Sequence, residues 1–252
     1  MIIDADCHIS SDKVAKPLLT ADILVEQMDE AGVDRAIIWL IPPYNKDIAP
    51  ENRAVYKATL KYPKKLIGFG WANPRLGKQA TYRTISLCFE EYGMWGIKFN
   101  GAQDDYVIDD EELVMPFIEY AAKYNKPIAF HIGADFYENT HPFRLGNIAA
   151  RFPEIRFLMV HMGGAGLPAL DRSAVEIAKK YSNITLIGSG IQENAILRAI
   201  HTLGPERVCF GSDTPFRLMH VQLAMYKALL RDYNKPFQDL ILGENIGKLL
   251  GI

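Results

Sequence analysis

Cysteine is scarce in this sequence. The three present, at positions 7, 88 and 209, are widely spaced and form no CxxC pair. An odd, sparse set excludes a disulfide-stapled scaffold and suits a reducing compartment, so the cytoplasm is the expected location. Net charge is nearly absent as well: 28 Lys+Arg against 30 Asp+Glu leave −2. The chain therefore offers no basic field for nucleic acid and no polybasic segment for an anionic membrane. Long apolar runs are missing, and stretches such as residues 36–41 fall far short of the roughly 20 residues a membrane span requires. The first residues read directly as an alternating strand, without a basic and then apolar leader. Neither Gly-x-Gly-x-x-Gly nor a P-loop follows that strand, which removes the commonest nucleotide-binding reading. Internal repeats and low-complexity tracts are also lacking.

What is present is an ordinary globular composition, 49% hydrophobic and 23% charged over 252 residues. That length matches a single (β/α)₈ barrel, which needs about 250 residues, and one domain over 1–252 is expected. Short β-rich runs recur at 2–9, 35–41, 66–71, 95–100, 128–132, 155–161, 184–188 and 207–211. Segments with helical periodicity separate them. Leu24, Met28 and Ala31 mark one helix face, with Gly32 as its stop; Leu167, Leu170, Ala174, Ile177 and Tyr181 mark another. Leu113, Phe117 and Ala121 trace a third, in which Pro116 either kinks the helix or sets its start. Eight alternations call for a parallel sheet with helical crossovers. An open doubly wound sheet has the same alternation, but even spacing of roughly 30 residues per unit favours closure into a barrel.

A barrel builds its active site at the C-terminal ends of its strands. The first run carries Asp4, Asp6 and His8, which strand alternation puts on one face. The fifth ends in His131, the sixth in His161 followed by Met162-Gly163-Gly164, and the eighth leads into Asp213. Each residue alone has a bland explanation: a hydrogen-bonded core histidine, a helix cap, a backbone-orienting carboxylate. Of only six histidines, however, three stand at inferred strand ends. Nitrogen and oxygen donors converging on one barrel mouth suit a divalent cation that keeps an open coordination position. His141, before Pro142, reads as a loop residue near a helix start, and His201 and His220 fall in helical segments.

With these residues in view, the sequence resembles the amidohydrolase superfamily, in its amidohydrolase-related branch of metal-dependent barrels. The resemblance is carried by Ile3-Asp4-Ala5-Asp6-Cys7-His8, Met28 to Asp34, Gly96-Ile97-Lys98-Phe99, Phe152-Pro153 leading to His161-Met162-Gly163-Gly164, Phe210-Gly211-Ser212-Asp213, and Glu244 to Gly251. It implies that His8, His131 and Asp213 bind metal, with His161 beside it as a catalytic partner. Asp6 stands where the branch commonly has a histidine. Two histidines and two carboxylates make a harder donor set than three histidines and one. One Zn²⁺ is expected, with Mn²⁺ as its rival. Lys98 is assigned to the substrate or to the surroundings of a mononuclear centre.

The resemblance implies hydrolysis of an amide, lactone or ester-type bond in a small, carboxylate-bearing molecule. Asp213 would accept a proton from activated water and His161 would polarise the substrate. The alternative is non-oxidative decarboxylation of an aromatic or unsaturated carboxylic acid; a third reading is a non-enzymatic ligand-binding barrel. Lys98, Arg217 and Tyr137 are the candidate substrate contacts. Trp39, Tyr44, Trp71, Asn73, Arg75 and Asn100 also lie on or near the same loops. A homodimer is left open by the general frequency of symmetric oligomers.

Overall fold

In a computed structural model of the protein, which describes residues 1–11, 19–42, 48–133, 136–164 and 170–252, strands and helices alternate along the chain. The strands are β1 (Ile3–Ile9), β2 (Arg35–Leu40), β3 (Leu66–Ala72), β4 (Gly96–Phe99), β5 (Ile128–His131), β6 (Phe157–Val160), β7 (Ile184–Ile187) and β8 (Val208–Cys209). Among the described residues the crossover helices are α1 (Ala21–Ala31), α2 (Ala49–Lys61), α3 (Lys78–Ser86), α4 (Met115–Ala122), α5 (Pro142–Arg151), α6 (Leu170–Lys180) and α7 (Glu193–Leu203). They are followed by α8 (Met219–Leu230), α9 (Lys235–Asp239) and α10 (Asn245–Leu250). No described helix is long and apolar enough to cross a membrane.

All neighbouring strands are parallel and run in the order β1 to β8. The β1–β8 seam closes through backbone hydrogen bonds: Ala5 N donates to Phe210 O (3.0 Å), Asp213 N to Asp6 O (2.8 Å) and His8 N to Thr214 O (2.7 Å). This is the expected (β/α)₈ barrel. Its strands are buried almost without interruption, because helices cover the sheet outside and side chains fill it inside.

Local chemistry accounts for the element ends. Thr20 caps α1 by accepting from Ile23 N, and Gly32 ends it in the left-handed conformation (φ 74°). Pro116 lies in the first turn of α4, so it sets the helix start, where its missing N–H costs nothing. The helix expected from 167 is seen from Leu170; Leu167 lies outside the described residues. β8 is shorter than the expected run at 207–211. Its continuation bonds to β1 as separate contacts rather than as a regular ladder.

Strict alternation in β1 does not hold. Asp4 pairs with Ala36 and Cys7 with Ile38, so three steps in β1 oppose two in β2. Bulges of this kind re-aim side chains next to active sites. Here Asp4 Oδ1 accepts from Asp6 N (3.1 Å) and Ser212 N (2.8 Å), turning Asp4 to the β1–β8 seam.

Candidate metal centre

Asp6, His8 and Asp213 meet because the seam bonds hold their backbones side by side. His8 Nε2 lies 3.4 Å from Asp6 Oδ1 and 3.5 Å from Asp213 Oδ1. The orientation of His8 is set from behind: its Nδ1 is 2.8 Å from Leu40 O. A carbonyl can only accept, so Nδ1 carries a proton, and Nε2 is the ring nitrogen nearest the carboxylates. Metal-binding histidines are held by the same kind of backbone hydrogen bond. Trp39 Nε1 also donates to this Nε2 at 3.1 Å.

His161 joins from the turn after β6. Its Nδ1 is 3.0 Å from Ser189 O and 3.8 Å from Asp6 Oδ2, while the Ser189 hydroxyl donates to Asp6 Oδ2. One donor atom each from Asp6, His161 and Asp213 lie within 4.8 Å of one another. His161 (φ 67°), Met162 (φ 48°) and Asp213 (φ 63°) all have left-handed backbones, a conformation costly for residues with a Cβ and concentrated at functional sites. Gly133 (φ 74°) and Gly163 (φ 84°) make the approach of β5 and β6 loops possible. A Cβ at Gly133 would lie 2.2 Å from Gly163 O. The rings of His131 and His161 pack edge to face with centroids 4.7 Å apart.

Lys98 is fully buried, its Nζ 3.9 Å from Asp6 Oδ1 and 3.7 Å from the centre of the Trp39 ring. Burial pushes its pKa down to about 8, against the pull of Asp6 and Asp213. Burial alone would raise the Asp6 carboxyl, but Lys98, His8 and His161 together hold it well below the usual carboxylate range. His8 is raised: burial and Lys98 lower it, and its contacts with Asp213 and Asp6 outweigh them. His131 is kept neutral by burial, reinforced by His161 and Lys98. Asp4 rises to about 6, chiefly through burial.

The donor set fits a divalent ion. Among the described residues Asp6 Oδ1 and His131 Nε2 are buried without a hydrogen-bond partner, and unpaired buried acceptors are costly unless something else occupies them. Asp6, His8 and Asp213 converge as the sequence implied. His161 joins them, and the His131 ring rests edge to face against the His161 ring.

The expected substrate contacts divide. Lys98 lies beside Asp6, but Arg217 is exposed and lines a separate cavity of about 480 Å³ with Arg172, Gly190 and Arg198. Tyr137 is 46% exposed on the loop after β5. Trp39 and Trp71 are not pocket walls. Both are fully buried, their indoles donating to His8 and to Asp104 Oδ2 (2.8 Å). Asn73 and Asn100 cap local turns, and Arg75 bonds Asp105 O. Tyr44 lies outside the described residues. His141 caps α5, His201 bonds Tyr233 from α7, and His220 is exposed on α8. Sequence reading missed Ser189. Its position just beyond β7, where the other strands carry polar groups, was the available signal.

No curated protein matches the sequence. Solved structures do share the fold. A 2,6-dihydroxybenzoate decarboxylase from Rhizobium superposes with a TM-score of 0.80 at 18% identity, covering 99% of this chain and 98% of that one. The 5-carboxyvanillate decarboxylase of Sphingomonas paucimobilis gives 0.76 at 16%, covering 100% and 99%. A dihydroxybenzoic acid decarboxylase from Polaromonas sp. JS666, with bound manganese and 2-nitroresorcinol, gives 0.75 at 19%, covering 99% and 96%. The amidohydrolase family profile matches residues 3–252, and the chain belongs to that enzyme family.

Proposed function

We propose that the protein is a divalent-metal-dependent decarboxylase of a small aromatic or unsaturated carboxylic acid. This is the second of the two reactions left open by the sequence. The carrying observation is the cluster of Asp6, His8, His161 and Asp213 at the strand ends, on a fold shared with several aromatic-acid decarboxylases. Asp6, His8, Asp213 and one of His161 or His131 would hold the ion. Its carboxylate-rich donor set favours manganese over the zinc first expected, in keeping with the manganese of the Polaromonas enzyme. When bound, the ion supplies Lewis acidity toward the substrate's carboxylate and an adjacent oxygen.

The residues of the chain do the rest. Phe216, 5.3 Å from the His8 ring and 42% exposed, gives the mouth an apolar wall for a planar substrate. Asp213 or His161 in its protonated form delivers a proton to the carbon that loses CO₂. The C–C bond breaks, and its electron pair takes up that proton. The buried charge of Lys98 balances the two carboxylates, and Tyr137, exposed on the loop after β5, contacts the far end of the substrate. Hydrolysis remains the second reading, favoured by the partly exposed Asp213 side chain (13%), which a water molecule can reach. CO₂ release from hydroxybenzoates and unsaturated diacids, with manganese added, decides between them. Decarboxylation of at least one acid, lost in Asp213→Asn, is expected. Turnover of lactones or amides with no CO₂ from any acid would overturn the assignment.

A further inference from the structure

His8 has one lone pair to offer. With Nδ1 donating to Leu40 O, that lone pair is on Nε2, and Nε2 already accepts the Trp39 indole N–H at 3.1 Å. An imidazole nitrogen cannot accept this hydrogen bond and ligate an ion at once. Among the described residues the neighbouring Asp6 Oδ1 has no hydrogen bond, and the Lys98 ammonium faces it at 3.9 Å, itself fully buried and without a hydrogen-bond partner there. Lys98 and Trp39 also touch each other, Nζ standing 3.7 Å over the ring. Each member of this contacting pair therefore addresses one ligand of the cluster.

We propose that Trp39 and Lys98 form an internal cap that competes with a divalent ion for the donor atoms of His8 and Asp6. The inference rests on reading the cluster as a metal centre. The pair sets metal affinity from behind the ligands without supplying a ligand. Trp39→Phe removes the N–H and keeps an aromatic ring beneath Lys98. The hydrogen bond that binding must break is then gone, and affinity rises about three- to tenfold. Lys98→Met removes a cation beside a ligand carboxylate and tightens binding by about tenfold or more. General damage to the site would weaken binding instead.

Two measurements test this on the intact chain. Competition dialysis gives the Zn²⁺ and Mn²⁺ dissociation constants of the wild type and both variants, and tighter binding by each variant is expected. In wild-type protein carrying ¹⁵N-labelled tryptophan, Zn²⁺ should move the Trp39 indole signal in step with occupancy and leave Trp95 in place. This readout stands even if Trp39→Phe fails to fold. One zinc bound with the Trp39 signal stationary, or variants that bind no more tightly than wild type, would overturn the cap. A wild type that binds no divalent ion removes the metal reading itself, and the cap with it.

Discussion

Asp6→Asn, studied in protein stripped of metal, isolates the electrostatic centre of the site. The substitution keeps the shape of the side chain but takes away the anion facing Lys98 at 3.9 Å. Two unit charges at that distance attract by about 4 kcal/mol at an effective dielectric constant near 20. Breaking one member of a buried pair typically costs about 3–5 kcal/mol. The Ser189 hydroxyl and His8 remain beside the new amide, so a loss of about 3 kcal/mol is expected at pH 7. Because the Asp6 carboxyl is held below its ordinary value when folded, its contribution is complete above the unfolded value of 3.8 and is lost only as pH falls toward the folded one. Urea denaturation with EDTA, on wild type, Asp6→Asn, Lys98→Met and the double variant, gives the coupling directly. The double variant should be more stable than the sum of the single losses by about 2 kcal/mol or more. A single loss under about 1 kcal/mol, or additive losses, would refute the buried pair.

Burial raises Asp104 to about 7, so ionising it in the folded state weakens the fold. The stability tied to its neutral form is complete below the unfolded value of 3.8 and lost as pH rises through about 7. Asp104→Asn, which can still accept from Trp71, should therefore raise the denaturation midpoint more at pH 8 than at pH 5, with an upper bound of about 4 kcal/mol; an equal effect at both pH values would contradict this. Gly133→Ala and Gly32→Ala share a φ of +74°, but only the first brings a Cβ against backbone, 2.2 Å from Gly163 O. Thermal melting should show Gly32→Ala losing about 1 kcal/mol and Gly133→Ala clearly more. Equal losses would mean that the two loops do not pack as described.

The barrel was legible because its signals are local and repeated: short β-rich runs, helical periodicity between them, even spacing. Asp6, His8, His161 and Asp213 were legible because strand ends in a barrel face one mouth. Other features depended on register and packing. The extra residue between Asp4 and Cys7 turns Asp4 to the seam, and alternation alone does not reveal a bulge. Trp39 and Trp71 read only as residues on or near the strand-end loops, because an aromatic near a strand end looks the same in sequence whether it lines a pocket or sits beneath it. Arg217 follows Asp213 by four residues, yet its side chain opens to a neighbouring cavity. Ser189 carried no motif; its role comes from the three-way meeting with Asp6 and His161.

The central claim is that the strand-end cluster holds one divalent ion. Elemental analysis of purified protein from cells grown with manganese and zinc tests it most directly, beside Asp213→Ala, whose side chain is partly exposed. About one ion per chain in the wild type, manganese ahead of zinc, and loss of that ion in the folded variant are the expected results. Metal at background in the wild type, or equal metal in both proteins, would contradict the account.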